Sequence, residues 1–232
     1  MKCEICGKES HHIHHKDGNH KNNEKNNLQR LCTLCHSKIH GIEPKLSELK
    51  KRITYFNKVQ KARLAIELSI KSFSRIELEV PKEVKKELDN LIKLENKYEK
   101  SINQFFKENP TDIYKWLISI KGIGNILAGK LLSEIDWNKT LKYSSLWKYA
   151  GFAPESKKIK GNKANWNHRL KSYCYQLVDC FIKHRTPKYR ELYDKEKVKQ
   201  IEKGIKKGHA HNRAIRKVAK IFLRDWFLQW EE

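Results

Sequence analysis

The chain has 232 residues, with 50 Lys and Arg against 27 Asp and Glu and a formal net charge of +23 at pH 7. This length suits one large domain or two small ones, and 38% hydrophobic with 10% aromatic residues is enough for a buried core, which excludes wholesale disorder. No run of about eighteen apolar residues occurs and the start MKCEICGKES lacks the apolar stretch of a signal peptide, so a soluble cytoplasmic protein is expected, nucleoid-associated in a prokaryotic or viral setting. A pI near 9.7 makes a polyanion the natural partner, nucleic acid first and an anionic membrane surface second.

Residues 1–43 are crowded with His, Asn and Cys. Cys3 and Cys6 form one Cys-x-x-Cys pair, Cys32 and Cys35 a second, with 25 residues between them. In a reducing compartment such doubled pairs predict four thiolates closing a tetrahedral structural Zn2+ site rather than disulfides. Cys174 and Cys180 lie among Tyr173, Tyr175, Leu177, Val178 and Phe181 and are expected to be plain buried thiols.

Residues 44–110 turn to Lys, Glu, Leu and Ile with helical spacing. Leu46, Leu49, Ile53, Phe56 and Val59 recur on one helix face, and after a break at Arg63 so do Ile66, Ile70 and Phe73. Ile66, Leu68 and Ile70 also alternate with polar residues, as do Ile76, Leu78 and Val80, which leaves a short strand pair as an alternative before Pro81. Val84, Leu88, Leu91, Tyr98, Ile102 and Phe105 then step by four and three, with Glu95 in the one missing seam position. The two stretches can form an antiparallel helical hairpin or a coiled coil with a second copy of the chain, and the pattern leaves both open.

Between the cysteine pairs stands the string HHKDGNHKNNEKNNLQRLCTLCHSKIH, from His14 to His40. The double His, the DGN turn, the NL dipeptide and the CxxCH end resemble HNH endonucleases of the four-cysteine kind over residues 1–41. That resemblance implies a zinc-bound ββα-metal module hydrolysing phosphodiester bonds. Such cleavage needs a base, a charge-stabilising metal and a group that orients the base. The family pattern assigns His14 to a catalytic divalent metal (Mg2+ or Mn2+), His15 to the general base, Asn27 to orienting it and His36 to a second metal ligand. Neighbours on a strand face opposite ways, which suits separate jobs for His14 and His15. His11–His12 is the alternative register. His40, one turn after His36, is a candidate phosphate contact.

Residues 111–232 hold all six Trp and are expected to be all-α. Ile118–Lys130 joins two apolar helical segments through Gly122 and Gly124, and resembles a helix-hairpin-helix motif. Its glycines and helix start offer backbone N–H groups to a phosphate, and Lys121 and Lys130 add charge. The string from Leu146 to Pro154 follows, and a basic helix spans Arg213 to Arg224. Together they resemble the C-terminal domain of one-ten-family insertion-sequence transposases. Those carry a nucleophilic serine shortly after the AP dipeptide; here Ile159 occupies its place, and Ser156, too early, is expected to be a loop residue. From Glu155 to Lys220 twenty Lys and Arg stand against six Asp and Glu, a surplus of fourteen. Trp166, with Arg169 beside it, can stack on a base or anchor a loop.

The whole predicts a mainly α protein and a metal-dependent DNA endonuclease of a mobile element. Two rivals stand beside it. One is a transposase or recombinase acting through the C-terminal domain, with structured RNA as a conceivable guide; the other is a non-catalytic zinc-containing DNA-binding protein.

Overall fold

The computed structural model describes residues 2–10, 12–17, 22–32, 35, 44–136, 140, 142–157 and 159–231. Among them are one two-stranded sheet and eight α-helices, so the chain is mainly α with a small amino-terminal ββ unit. Tertiary contacts divide it into two compact units: Met1–Glu48 with Asp136–Asn138, and Leu49–Ile135 with Lys139–Glu232. No described helix is long and apolar enough to cross a membrane.

In the amino-terminal unit β1 (His12–His15) pairs antiparallel with β2 (Leu28–Leu31), His14 opposite Gln29 and His15 opposite Leu28. A one-turn 3-10 helix at Lys25–Asn27 leads into β2. Alternation along the strands divides the side chains: Ile13 is exposed and His14 buried on β1, while Leu31 is fully buried on β2. Among the described residues the buried cluster around Leu31 consists of Cys3, Cys32 and Cys35. A core of one leucine and three cysteines is too small to hold a fold without a staple.

The long helices are α1 (Pro44–Arg75), which belongs to the helical unit from Leu49 on, and α2 (Lys82–Glu108). They run antiparallel: Arg52 donates to the Ser101 carbonyl at 2.6 Å, and the Tyr55 and Tyr98 rings stack at 6.0 Å. The residues that interrupt the two apolar seams meet each other. Arg63 and Glu95 form an ion pair, Gln60 Nε2 donates to Glu95 at 3.0 Å, and Arg63 also reaches Glu67 at 2.6 Å. Residues 66–70 are helical, so the strand alternative fails. The alternation there arises because this part of α1 buries no continuous face: Leu64 and Leu68 are exposed, and so are Ile76 and Leu78 in the connection after it.

Six shorter elements follow: α3 (Asp112–Ser119), α4 (Asn125–Glu134), α5 (Tyr143–Tyr149), α6 (His168–Lys183), α7 (Tyr189–Glu202) and α8 (Lys207–Glu231). Helix α8 packs on α3, α5, α6 and α7, with Phe222 and Trp226 fully buried against Phe181 and Trp116. Helix α2 docks on α4 through Ile102, Phe105 and Phe106, and Phe106 stacks flat on Tyr114 of α3 at 4.0 Å. A Cβ at Gly129 would lie 2.9 Å from Ile53 Cδ1, so the missing side chain lets α1 and α4 approach closely. The α1–α2 hairpin and the helices of 112–231 therefore share one core, in which Ile53 and Phe106 meet at Gly129.

Candidate functional site

The first cysteine pair sits in a tight turn in which Gly7 N–H donates to the Cys3 carbonyl at 2.9 Å and Cys3 N–H to the Lys8 carbonyl at 2.6 Å. This turn is fastened to β2 twice, by Glu4 N–H on the Arg30 carbonyl and Arg30 N–H on Glu4 Oε1, both at 3.0 Å. Cys35 N–H approaches Cys32 Sγ at 3.5 Å, which closes the second pair. All four Sγ atoms lie within 4.8 Å of one another, and Cys6 and Cys32 are 3.5 Å apart. A metal–sulfur distance of about 2.3 Å in a tetrahedron separates sulfurs by about 3.8 Å, so the cluster can hold a metal ion. Its electrostatics point the same way. Burial opposes ionisation of Cys3, yet backbone hydrogen bonds from Cys32, Cys6 and Ile5 outweigh it and bring that thiol down to about 6. Cys35 is pushed up to about 12, first by its hydrogen bond with Cys6 and then by burial. Four crowded sulfurs thus give up one proton readily and keep another until a cation compensates the charge.

The histidine hairpin adjoins these knuckles. His14 is 8% exposed and His15 half-buried on the opposite face of β1. His15 Nε2 lies 3.1 Å from Asn23 Oδ1. Asn27, which the family pattern assigns to orienting the base, does not bond the ring. Its Oδ1 accepts from Asp17 N–H at 3.0 Å, and its Nδ2 donates to Asp17 Oδ1 and to the Asn22 carbonyl, both at 2.9 Å. Asp17 Oδ2 accepts from Asn22 Nδ2 at 2.8 Å, and Lys16 N–H donates to the Asn27 carbonyl at 2.9 Å. Asn27 therefore ties the two ends of the loop between the strands, while the ring contact falls to Asn23. Sequence reasoning passes over Asn23 because Asn22, Asn23, Asn26 and Asn27 are alike in composition; only the hairpin register separates them. His36, His40 and His11 lie outside the described residues.

In the helical unit the hairpin between α3 and α4 carries Lys121, exposed, and Gly122 at φ +95°, a conformation that favours glycine. Thr186 Oγ1 donates to the Lys121 carbonyl at 2.7 Å, and a Cβ on Gly122 would meet the His184 ring at 3.3 Å. Gly124 caps α4 without a side-chain bond. Lys130 corrects the sequence reading: it is buried, its Nζ 5.6 Å from the Phe56 ring centroid and 5.7 Å from that of Tyr173, so it does not face a phosphate. Burial holds its ammonium below the ordinary lysine range.

Trp166 sits on the backbone of Gly151, where a Cβ would lie 2.6 Å from its ring, with Lys171 Nζ 4.8 Å from the ring centroid. This is the loop-anchoring role. Arg169 is exposed and pairs at 3.5 Å with Glu134, a buried carboxylate that also accepts from Asn167 Nδ2 at 3.0 Å and lies 3.9 Å from Lys50 Nζ. Nothing in the sequence marks Glu134 as this hub, since its partners come from segments far along the chain. Ser156 is buried and Ile159 exposed, and burial drives the Cys174 thiol upward. No family model and no curated protein matches the chain.

Proposed function

We propose that the chain is a metal-dependent DNA endonuclease whose amino-terminal unit cuts and whose basic helical unit holds the substrate. The observation that carries this reading is the hairpin that puts His14 and His15 on opposite faces of one strand, with Asn23 on the His15 ring and Asn27 locking the loop. We infer that the four-cysteine ion is Zn2+, since a closed, largely buried set of four sulfurs suits it best. The thiolates complete that site, which leaves the histidines for chemistry. A role in a mobile genetic element rests on the resemblance of the two parts to HNH endonucleases and insertion-sequence transposases.

In this reading His15 takes the proton from the attacking water. Asn23 and the strand fix the ring, so little orientational freedom is lost on reaching the transition state. Asn27 and Asp17 act at one remove by holding the loop that carries Asn23. A divalent ion such as Mg2+ or Mn2+, when bound, supplies charge neutralisation on the phosphate and leaving oxygen. His14 is its one candidate ligand among the described residues. Purified protein with Mg2+ or Mn2+ is expected to cut supercoiled, linear or branched DNA; all three left intact would refute the proposal.

A further inference from the structure

Arg216, Lys217 and Lys220 lie within little more than one turn of α8, and Lys171 faces the same segment from α6. Among the described residues none of these four pairs with a carboxylate, although acidic partners serve Lys188 and Arg190 at the start of α7 and Arg224 further along α8. Arg216, Lys220 and Lys171 converge on one stretch of chain. Arg216 Nη2 donates to the carbonyls of Phe152 at 3.0 Å and Ala153 at 2.8 Å. Lys171 Nζ lies 5.9 Å from the Phe152 ring centroid, and Lys220 Nζ 4.2 Å from that of Trp147. Like charges four residues apart on a helix destabilise it. Here burial, and then Arg216, hold Lys171 and Lys220 below the ordinary lysine range. Ala153 O also accepts from Ser156 N–H at 3.1 Å, and the Ser156 hydroxyl in that turn is buried with no hydrogen-bond partner. No carboxylate pairs with these cations; Glu155 acts on Lys220 only through its charge, and less than burial and the neighbouring Arg216 and Lys217 do. Beside Lys220, Tyr143 is 44% exposed and stands 5.1 Å from Trp147, so a ring is available next to the charge.

We propose that this is a site for an unpaired nucleotide: Lys171, Arg216 and Lys220 receive a phosphodiester group, and Tyr143 with Trp147 stacks the neighbouring base. Phosphate-binding cations with an adjoining aromatic ring suit a single strand, since every base has a face to stack and only an unpaired one presents it. The occupant is the substrate class of the proposed function and to that extent rests on it; the uncompensated cations do not.

The test is fluorescence anisotropy of a labelled oligothymidine with the full chain, no divalent ion added, across a salt series. Lys171→Gln with Lys220→Gln is expected to weaken binding about tenfold or more and to reduce the slope of log K against log salt by about 1.4, about 0.7 for each single-strand phosphate that a lysine no longer neutralises. Lys86→Gln with Lys93→Gln, the same charge change on exposed positions of α2, is expected to stay within about twofold of the parent, since remote charges are screened. Tyr143→Ala is expected to weaken binding to the single strand and not to a duplex. A melting curve of the Lys171 and Lys220 variant, expected to superimpose on that of the parent because the lost repulsion offsets the lost contacts with the rings, separates weakened binding from failed folding. The proposal is overturned if the Lys171 and Lys220 pair binds as well as the α2 control. It is also overturned if that pair loses only its pelleting with phosphatidylglycerol vesicles. Cleavage is not read here, so binding at this site without nuclease activity would count against the proposed function alone.

Discussion

Among the described residues the amino-terminal unit buries one leucine beside its cysteines, whereas the helical unit buries Phe181, Phe222, Trp226 and sixteen Leu, Ile and Val side chains. The small unit has hydrogen bonds in plenty, yet nearly all of them lie at the surface, where each contributes little. A metal held by the four cysteines would therefore carry its stability, whereas burial carries that of the large unit. In the proposed function the same difference separates chemistry from grip. A metal-stapled hairpin can hold histidines at fixed spacing without a core behind them, while a packed helical body can carry a surplus of positive charge.

The largest expected effect breaks the comparison outright. Chelation, or Cys32→Ser, is expected to abolish amide-exchange protection across β1 and β2 and to leave the helical circular-dichroism signal nearly intact, because a structural metal contributes on the order of 10 kcal/mol to such a unit. Protection surviving chelation would contradict the assignment. Returning Zn2+ at neutral pH should release more than one proton per ion, since the thiols of the opened unit bind the ion as thiolates, and in the folded cluster Cys35, pushed up to about 12, stays a thiol until a cation compensates it. Cys3 tends the other way: lowered from 9.0 to about 6, its thiolate is favoured above that range and is lost as pH falls through about 6, so metal affinity should fall with it.

Within the helical unit the effects are graded. Gly151→Ala combines a φ of +73° with a Cβ 2.6 Å from the Trp166 ring, and is expected to cost about 2–4 kcal/mol in urea unfolding. Asn167→Ala removes the cap that accepts from Arg169 and Leu170 N–H and the donor to Glu134, for about 2 kcal/mol. Thr111→Ala removes a cap bond that is long at 3.4 Å, and should cost about 0.5 kcal/mol.

What could be read in advance follows the range of the interactions involved. The cysteine pairs and the helices of 44–108 were legible because their signals are local: a two-residue gap, and a period of three and four. Arg63 and Glu95 were visible as the two defects in those seams, but that they cancel each other requires knowing how the hairpin closes. Lys130 sits in a glycine-rich, basic setting that suggests a phosphate contact, yet its side chain lies against Phe56 and Tyr173, 74 residues behind it and 43 ahead. Asn23 and Asn27 differ in role only through the strand register, which fixes the loop they share.

The division between cutting and holding is tested most directly by His15→Ala, with cleavage and DNA binding measured on the same preparation. Loss of cleavage by about a hundredfold or more, with affinity and salt dependence unchanged, is the result predicted for a general base that takes no part in the grip. A His15→Ala protein that cuts at the parent rate would contradict it.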